Sequence, residues 1–449
     1  MKKIDKSTWG GVLQDLRLQR GITQHQLAAL SSVSYSTLSK IESGLIASPS
    51  MKTLQKLSMV LNANLLNMAP VSNVRSTRPT AMGLFCGTGG LDLGFKQAGF
   101  DIVYSNDILK IAEATYKHNI GDIEIKDFRD VDKNALPYAD VLLAGIPCQP
   151  FSSAGNRLGV DDVRGQLFEE VIKTLDIKRP KIVLLENVRG FLSSKDADGL
   201  IMPERIRKEL LVHGYRLTYK LLNANDYEVP QNRFRVVLVG VREDIKGDYE
   251  FPLPIPKTND LTVGSVLSRS LPDNEAQEVW GLSPQSQSLI EHIPEGGSWK
   301  NVPYELLPDR LKRIRDDMKR YHSPNFYRRF ARHETMGTIT AAGTPENSGI
   351  VHPFENRRYS VREIARFQSF PDDFKFIGTS IASKYKLIGN AVPVRLGYHI
   401  GTSIRDFLHE PNTASEREHQ QGLLAGADNW GRGNSRPKVD DNIALPQLG

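Results

Sequence analysis

Apolar positions near the start of the chain recur at helical spacing. Leu13, Leu16 and Leu18 make a stripe that Gly21 stops. Thr23 can cap a helix over 24–30, and Ser34 can cap another over 35–43, closed by Gly44. The short connection 31–33 joins them, and residues 51–61 and 65–68 continue a small helical bundle. A polar stretch rich in Ser, Thr, Asn and Arg (70–79) then reads as a linker.

Beyond it the rhythm changes. Apolar runs of strand length, at 81–85, 102–104, 141–146, 182–185 and 236–241, alternate with helical patterns at 108–118, 167–177 and 203–212. Near-continuous apolar strands alternating with helices predict a mostly parallel, doubly wound α/β sheet. The alternation fails near Glu243, where Pro252, Pro254, Pro256 and Pro272 break the pattern, and helical periodicity returns at 361–367 and 394–407. From Glu410 the chain is polar and Gly-rich and reads as a disordered tail. The expected domains are therefore 1–70, a linker 71–79, a sheet domain over 80–242 completed by 384–408, an inserted region 243–383, and a tail 409–449.

No apolar run reaches the length of a membrane helix, and Met1–Lys6 has no apolar core behind it, so a cytoplasmic protein is expected. Cys86 and Cys148 cannot form a disulfide framework, and no Cys/His cluster has zinc spacing, so no metal is expected. Charge is uneven. Residues 1–78 hold ten Lys/Arg against three acids, whereas the other 371 residues hold 48 bases and 49 acids. A small basic module points to a polyanion.

Five short motifs carry candidate chemistry. Leu84-Phe85-Cys86-Gly87-Thr88-Gly89-Gly90 follows a strand and opens a helix, and glycines there admit close approach of a ligand. Asp107 follows Gly87 by 20 residues, at the place of a ribose-binding carboxylate. Pro147-Cys148-Gln149-Pro150 lies just past an apolar strand and offers a thiolate nucleophile. Glu186-Asn187-Val188 places a carboxylate at the same sheet edge, suited to proton transfer. Gln231-Asn232-Arg233-Phe234-Arg235 sets two guanidinium groups on one face of an extended segment, fit for an anion or carbonyl oxygen. Gly389-Asn390-Ala391-Val392-Pro393 precedes the last helix.

Taken in order, these motifs resemble the DNA cytosine-5 methyltransferases of restriction–modification systems over residues 80–408. The resemblance implies a Rossmann-like catalytic domain that uses S-adenosylmethionine. It implies that Cys148 attacks carbon 6 of a flipped cytosine, that Glu186 holds and protonates nitrogen 3, and that Arg233 binds the exocyclic oxygen or supports Glu186, with Arg235 nearby. Phe85 would flank the adenine, and Gly87, Gly89, Gly90 and Leu91 would pass under the methionine part. Asp107 would bind ribose hydroxyls, Ile108 would pack on the adenine, and Asp127 would accept from its amino group with Phe128 alongside. Pro147, Asn390 and Val392 would complete the pocket. Residues 243–383 would form the target-recognition region, with base and phosphate contacts in its basic, aromatic stretch 300–334.

The first 70 residues resemble helix-turn-helix repressors. By that pattern Gln24 would touch a phosphate, Tyr35, Ser36, Thr37 and Lys40 would face the major groove, and Leu27, Leu38 and Ile41 would be core. The combined expectation is an enzyme that methylates cytosine in a short double-stranded DNA site, acting as a monomer, with an N-terminal module that binds a separate operator as a dimer. Two alternatives stay open: an RNA cytosine-5 methyltransferase, and a transcription regulator with an inert catalytic domain.

Overall fold

The computed structural model describes residues 9–43, 45, 46, 49, 51–61, 78–146, 163–196, 198–257, 261–271, 275, 278–317, 325–344 and 349–409. Pro147, Cys148 and the stretch after them to residue 162 lie outside the described residues, as do Gly44, the helix expected at 65–68, most of the linker and the tail. The chain divides into two compact units, residues 1–80 with 99–101, and residues 81–98 with 102–449.

The first unit is helical: α1 Trp9–Gln19, α2 Gln24–Ser31, α3 Tyr35–Glu42 and α4 Met51–Leu61. Thr23 caps α2 through a reciprocal capping box with Gln26, and the Ser34 hydroxyl accepts from the Thr37 N–H to start α3. Leu13, Leu27, Leu38, Ile41, Leu54, Leu57 and Leu61 are buried as its core. Leu18, expected in the stripe, is half exposed, because only Leu13 and Leu16 of that set face the bundle.

The second unit holds a seven-stranded sheet in the order β3-β2-β1-β4-β5-β7-β6. Its strands are β1 Thr80–Leu84, β2 Asp101–Asp107, β3 Glu124–Ile125, β4 Val141–Gly145, β5 Ile182–Val188, β6 Tyr215–Asn223 and β7 Phe234–Arg242. The pairs β1–β4, β4–β5 and β2–β3 are parallel, whereas β7 inserts antiparallel between β5 and β6. The strand order reverses between β1 and β4, where open sheets leave a crevice beyond their carboxyl ends.

Side chains alternate across each strand, so Met82 and Leu84 face one way and Gly83 the other. Met82 and Leu84 pack with Leu142, Ala144, Val183 and Leu185 under α7 (Val163–Lys178) and α8 (Met202–Val212). On the opposite face α5 (Gly90–Gln97) comes so close that a Cβ at Gly83 would lie 2.4 Å from the Asp92 carboxylate. A helix late in the chain, Val394–His409, lies along α5. A Cβ at Gly94 would lie 2.6 Å from its backbone at Val394 and Tyr398, so glycine is what permits the contact. Near α5 lies α6 (Glu113–Asn119), whose Tyr116 is fully buried.

Between β7 and the late helices lies a region of short helices: α9 Val263–Leu267, α10 Pro284–Ile290, α11 Asp309–Asp316, α12 Val361–Phe367 and α13 Ile381–Asn390. The final helix, α14, is Val394–His409. Leu289, Ile290, Trp299, Val302, Leu307, Leu311, Phe326, Tyr327 and Val351 form a core of their own there. Part of the basic, aromatic stretch 300–334, where base and phosphate contacts are expected, is interior. Phe326, Tyr327 and Phe330 are buried, and Arg329 is buried with its Nη atoms on the carbonyls of Ile290, His352 and Glu355. Arg310, Lys312 and Arg313 remain at the surface of that stretch. No helix among the described residues is long and apolar enough to cross a membrane.

Candidate active site

The candidate site gathers at the carboxyl ends of β1, β2, β4 and β5. Strand β1 ends into Phe85, which takes φ +57°, and Gly87 follows at φ +54°. Both lie in the left-handed region, which costs a non-glycine residue energy and so marks a held turn. A Cβ on Gly87 would enter open space. The other two glycines answer to the protein's own packing. A Cβ on Gly89 would strike Ile120 and Tyr116, and one on Gly90 would lie 2.1 Å from the Val392 carbonyl. Leu91 is buried, its backbone and side chain backing onto Gly397 of α14.

Asp107 closes β2 at the next strand end. One carboxylate oxygen accepts from the Gly87 N–H at 2.6 Å and the other from the Leu109 N–H at 2.7 Å. Burial pushes its pKa up, and these N–H donors work against that. Ile108 beside it is 62 % exposed, an apolar side chain left to solvent at the mouth of the crevice. The Phe85 ring meets Phe128 edge-on at 5.8 Å, and Phe128 itself is buried. Asp127 caps the short turn Phe128–Asp130, and Arg129, bonded to its carboxylate, holds its pKa below the usual range. The thiol of Cys86 lies against Asp92, and burial first, then that carboxylate, raises its pKa well above the usual value. Cys86 is thus a packed residue.

Gly145 joins these residues to the end of β5. It is paired with Glu186 in the β4–β5 ladder. A Cβ there would lie 3.6 Å from the Phe85 carbonyl and 3.9 Å from Glu186 Oε2. Asn187, the next residue, is buried and reaches the Ile146 carbonyl at 3.4 Å, directly before Pro147 and Cys148. Cys148 is outside the described residues, but strand β4, which precedes it, ends at Gly145 beside Glu186.

The two arginines separate. Arg235 places Nε 2.6 Å from Glu186 Oε1, with both side chains largely shielded from solvent. Arg233 does not join them at the carboxylate, which corrects the expectation that it binds the base or supports Glu186. Its guanidinium is fully buried and donates to the carbonyls of Ile339, Gly389 and Ala391 at 2.6–3.0 Å. Burial, with Arg235 adding to it, pushes its pKa well below the ordinary arginine value. Gln231 and Gln368 extend the network: Gln231 donates to the Phe367 carbonyl and to Gln368, and Gln368 donates to the Ile388 carbonyl. This buried joint fixes residues 388–392. Asn390 there is exposed at the end of α13, and Val392 is backed onto Gly90.

A model of the family described as C-5 cytosine-specific DNA methylase matches residues 80–406. The chain belongs to that family. This methylase is 35% identical over 362 residues to the type II methyltransferase M.FnuDI of Fusobacterium nucleatum, across 76% of this chain and 99% of the relative. It is 34% identical over 332 residues to the type II methyltransferase M.NgoFVII of Neisseria gonorrhoeae, across 72% of this chain and 85% of the relative. A solved DNA modification methyltransferase encoded within an E. coli prophage shares the fold, with a TM-score of 0.54 at 22% identity, covering 74% of this chain and all of that one. The methylase is thus a DNA (cytosine-5-)-methyltransferase, and its partner is DNA.

A helix-turn-helix model matches residues 13–66 of the methylase. Tyr35, Ser36 and Lys40 are exposed on α3, and Tyr35 stacks on His25 at 3.9 Å. Thr37 is half buried, and its hydroxyl pairs with Ser34 at 2.7 Å in the helix cap. Gln24 has an intramolecular partner. It donates to Glu42 at 2.8 Å, because that shielded carboxylate, clasped by Arg17 at 2.7 and 2.8 Å, draws the nearest donor inward.

Among the residues the sequence did not single out are Lys133 and Gln368. Gln368 carries no local signal, since its partners lie at least 20 residues away in sequence.

Proposed function

We propose that this methylase transfers a methyl group to carbon 5 of a flipped cytosine in a short double-stranded site, with Cys148 as nucleophile and Glu186, held by Arg235, as the group that binds and protonates nitrogen 3. The observation that carries the reading is the clustering of the β1, β4 and β5 ends around Gly145, which puts Glu186 and Arg235 beside the strand exit that leads to Cys148. Carbon 5 of cytosine is a weak nucleophile, and addition of a thiolate at carbon 6 makes it a reactive one. A base must leave the duplex to reach such a site, at a cost of a few kcal/mol.

S-adenosylmethionine supplies the electrophilic methyl group when bound. The residues at the strand ends fit it: Asp107 offers carboxylate oxygens to ribose hydroxyls, Ile108 and Phe85 offer apolar surface to a purine, and open space beside Gly87 leaves the backbone approachable. Asp127 and the Phe128 turn would meet the purine edge, and Leu91, Asn390, Val392 and Pro147 would close the pocket. Gly89 and Gly90 serve it by letting that loop lie flat on α6 and on Val392.

The proposed domain limits are those of the sequence reading, with 243–383 reading the target. We assign the helix-turn-helix unit to a separate operator, bound as a dimer through Tyr35, Ser36, Thr37 and Lys40, with control of the methylase's own genes as its use. Methylation at the enzyme's site would protect DNA from a partner restriction endonuclease. Methyl transfer from labelled S-adenosylmethionine to unmethylated plasmid DNA tests the reading, with Cys148→Ala beside the wild type and the product mapped by bisulfite conversion. Label confined to one short motif and absent in the variant supports it. Label in the variant equal to the wild type refutes the role of Cys148, and preferential labelling of RNA refutes the substrate.

A further inference from the structure

Lys133 is a buried lysine that the reaction chemistry leaves unused. Its ammonium donates to the Phe128 carbonyl at 2.5 Å, pairs with Glu170 of α7 at 2.5 Å, and lies 4.6 Å from the centre of the Phe128 ring. Its side chain is 8% exposed and that of Glu170 12%. Withdrawing an ammonium this far from water is costly unless its donors are matched, and here a carbonyl, a carboxylate and an aromatic face take them. The turn it pins, Phe128–Asp130, is the one capped by Asp127. A second tie joins the same two elements, since Arg129, clasped by Asp127, donates to Gln166 of α7 at 3.1 Å.

We infer that Lys133, braced by Glu170, is a positioning residue for the methyl donor: it holds the Asp127–Phe128 turn against α7, so that the purine end of S-adenosylmethionine meets a preformed edge. The inference rests on the assignment of that turn to the donor pocket. An unpinned turn must be ordered when the donor binds, which weakens binding of donor without altering the chemistry at Cys148 and Glu186. Loss of Lys133 does not strand Glu170, because Lys173 also pairs with it at 2.6 Å. Lys133→Met keeps the apolar stem beside Phe128 and is expected to fold.

The test is steady-state methylation of plasmid DNA by the full chain, with both substrates varied, for wild type, Lys133→Met, Lys133→Arg, Glu170→Gln and Asp127→Ala, with thermal unfolding of each. Lys133→Met should raise the KM for S-adenosylmethionine about fivefold while kcat and the KM for DNA stay within about twofold. Lys133→Arg, which keeps the cation, should return the KM to within about twofold of wild type, and Glu170→Gln should fall between. Asp127→Ala separates the two layers of the argument. If it raises the donor KM and Lys133→Met does not, the role of Lys133 is overturned and the pocket stands. If Asp127→Ala leaves the donor KM unchanged, the pocket assignment falls and the inference with it. If Lys133→Met lowers kcat, raises both KM values and lowers the unfolding temperature together, Lys133 is a fold residue with no particular tie to the donor.

Discussion

Arg235 and Glu186 meet across an antiparallel ladder without facing one another. Glu186 is paired with Val237 and Arg235 with Val188, and the guanidinium crosses diagonally to bring its Nε to 2.6 Å from Oε1. Diagonal neighbours on one face of a sheet are within reach of a long side chain, and arginine has that length. The carboxylate is thereby held at one place on the sheet edge before any substrate arrives.

Arg235→Ala should therefore cut the single-turnover rate of methyl transfer about 100-fold, by leaving a shielded carboxylate unheld. Arg235→Lys should cost about tenfold, since an ammonium keeps the charge and loses the planar fork. Rapid-quench methylation with enzyme in excess measures both. Rates within twofold of wild type for the alanine variant would exclude a catalytic part for the pair.

Arg233 should behave differently. Arg233→Met removes the donor from three buried carbonyls, and unfolding by denaturant should show a loss of about 3 kcal/mol or more. Arg235→Ala should cost about 1 kcal/mol in the same assay, since its partner keeps some access to water. Equal losses for the two would contradict the separation of roles seen here.

The pair also shows how far the sequence could be read. Spacing alone predicted both guanidinium groups on one side of an extended segment, and Arg235 is near enough to lower the pKa of Arg233. Which of them meets the carboxylate depends on carbonyls at 339, 389 and 391, more than 100 residues away. No local pattern contains that information. The strands with near-continuous apolar runs, β1, β4, β5 and β7, were legible because both their faces are covered. Strand β6 was not, because Arg216, Thr218 and Lys220 alternate with apolar residues at the edge of the sheet. Helix α12 was legible to the residue, since Ser360 and Glu363 cap it reciprocally. The burial of Arg329 within 300–334 was not legible, because a buried arginine bonded to carbonyls looks, in sequence, like one that faces a phosphate.

His352 predicts a pH dependence of stability. It is 4% exposed, and burial first, then Arg357, holds its pKa down at about 4, against the opposing pull of Glu363 and Glu355. Arg329 also faces it and lowers it further. The unfolded chain takes up a proton near the ordinary histidine value of 6.5 while the folded chain does not. The stability this residue contributes is therefore complete above about pH 6.5 and declines as pH falls toward 4, by about 1.4 kcal/mol per pH unit at most. Denaturant midpoints from pH 7 to 4.5 should fall more steeply for wild type than for His352→Gln.

Ser32 ends α2 in the left-handed region at φ +52°. Glycine pays no steric penalty there, and its greater freedom when unfolded offsets part of that gain. Ser32→Gly should stabilise the helical unit by about 0.5 kcal/mol, read from its unfolding transition in the full chain, with methylation unchanged.

Lys40 is exposed on α3. For the full chain binding an operator duplex, Lys40→Ala should lower the slope of log affinity against log salt by about one, the signature of a lost phosphate contact. Methyl transfer at the enzyme's own site should not change. A matching fall in methylation would join the two activities.

The Val392 carbonyl occupies the space a Cβ on Gly90 would need, so two packed parts of the sheet domain are made from chain synthesised roughly 300 residues apart. Helix α14, to residue 409, must leave the ribosome before α5 has its partner. The four N-terminal helices, with a core of their own, are complete by residue 61. At ordinary rates of translation that is a lead of roughly 20–70 s. Each nascent chain is thus a DNA-binding module before it is a methylase, and a message cut short anywhere in that interval yields the first without the second.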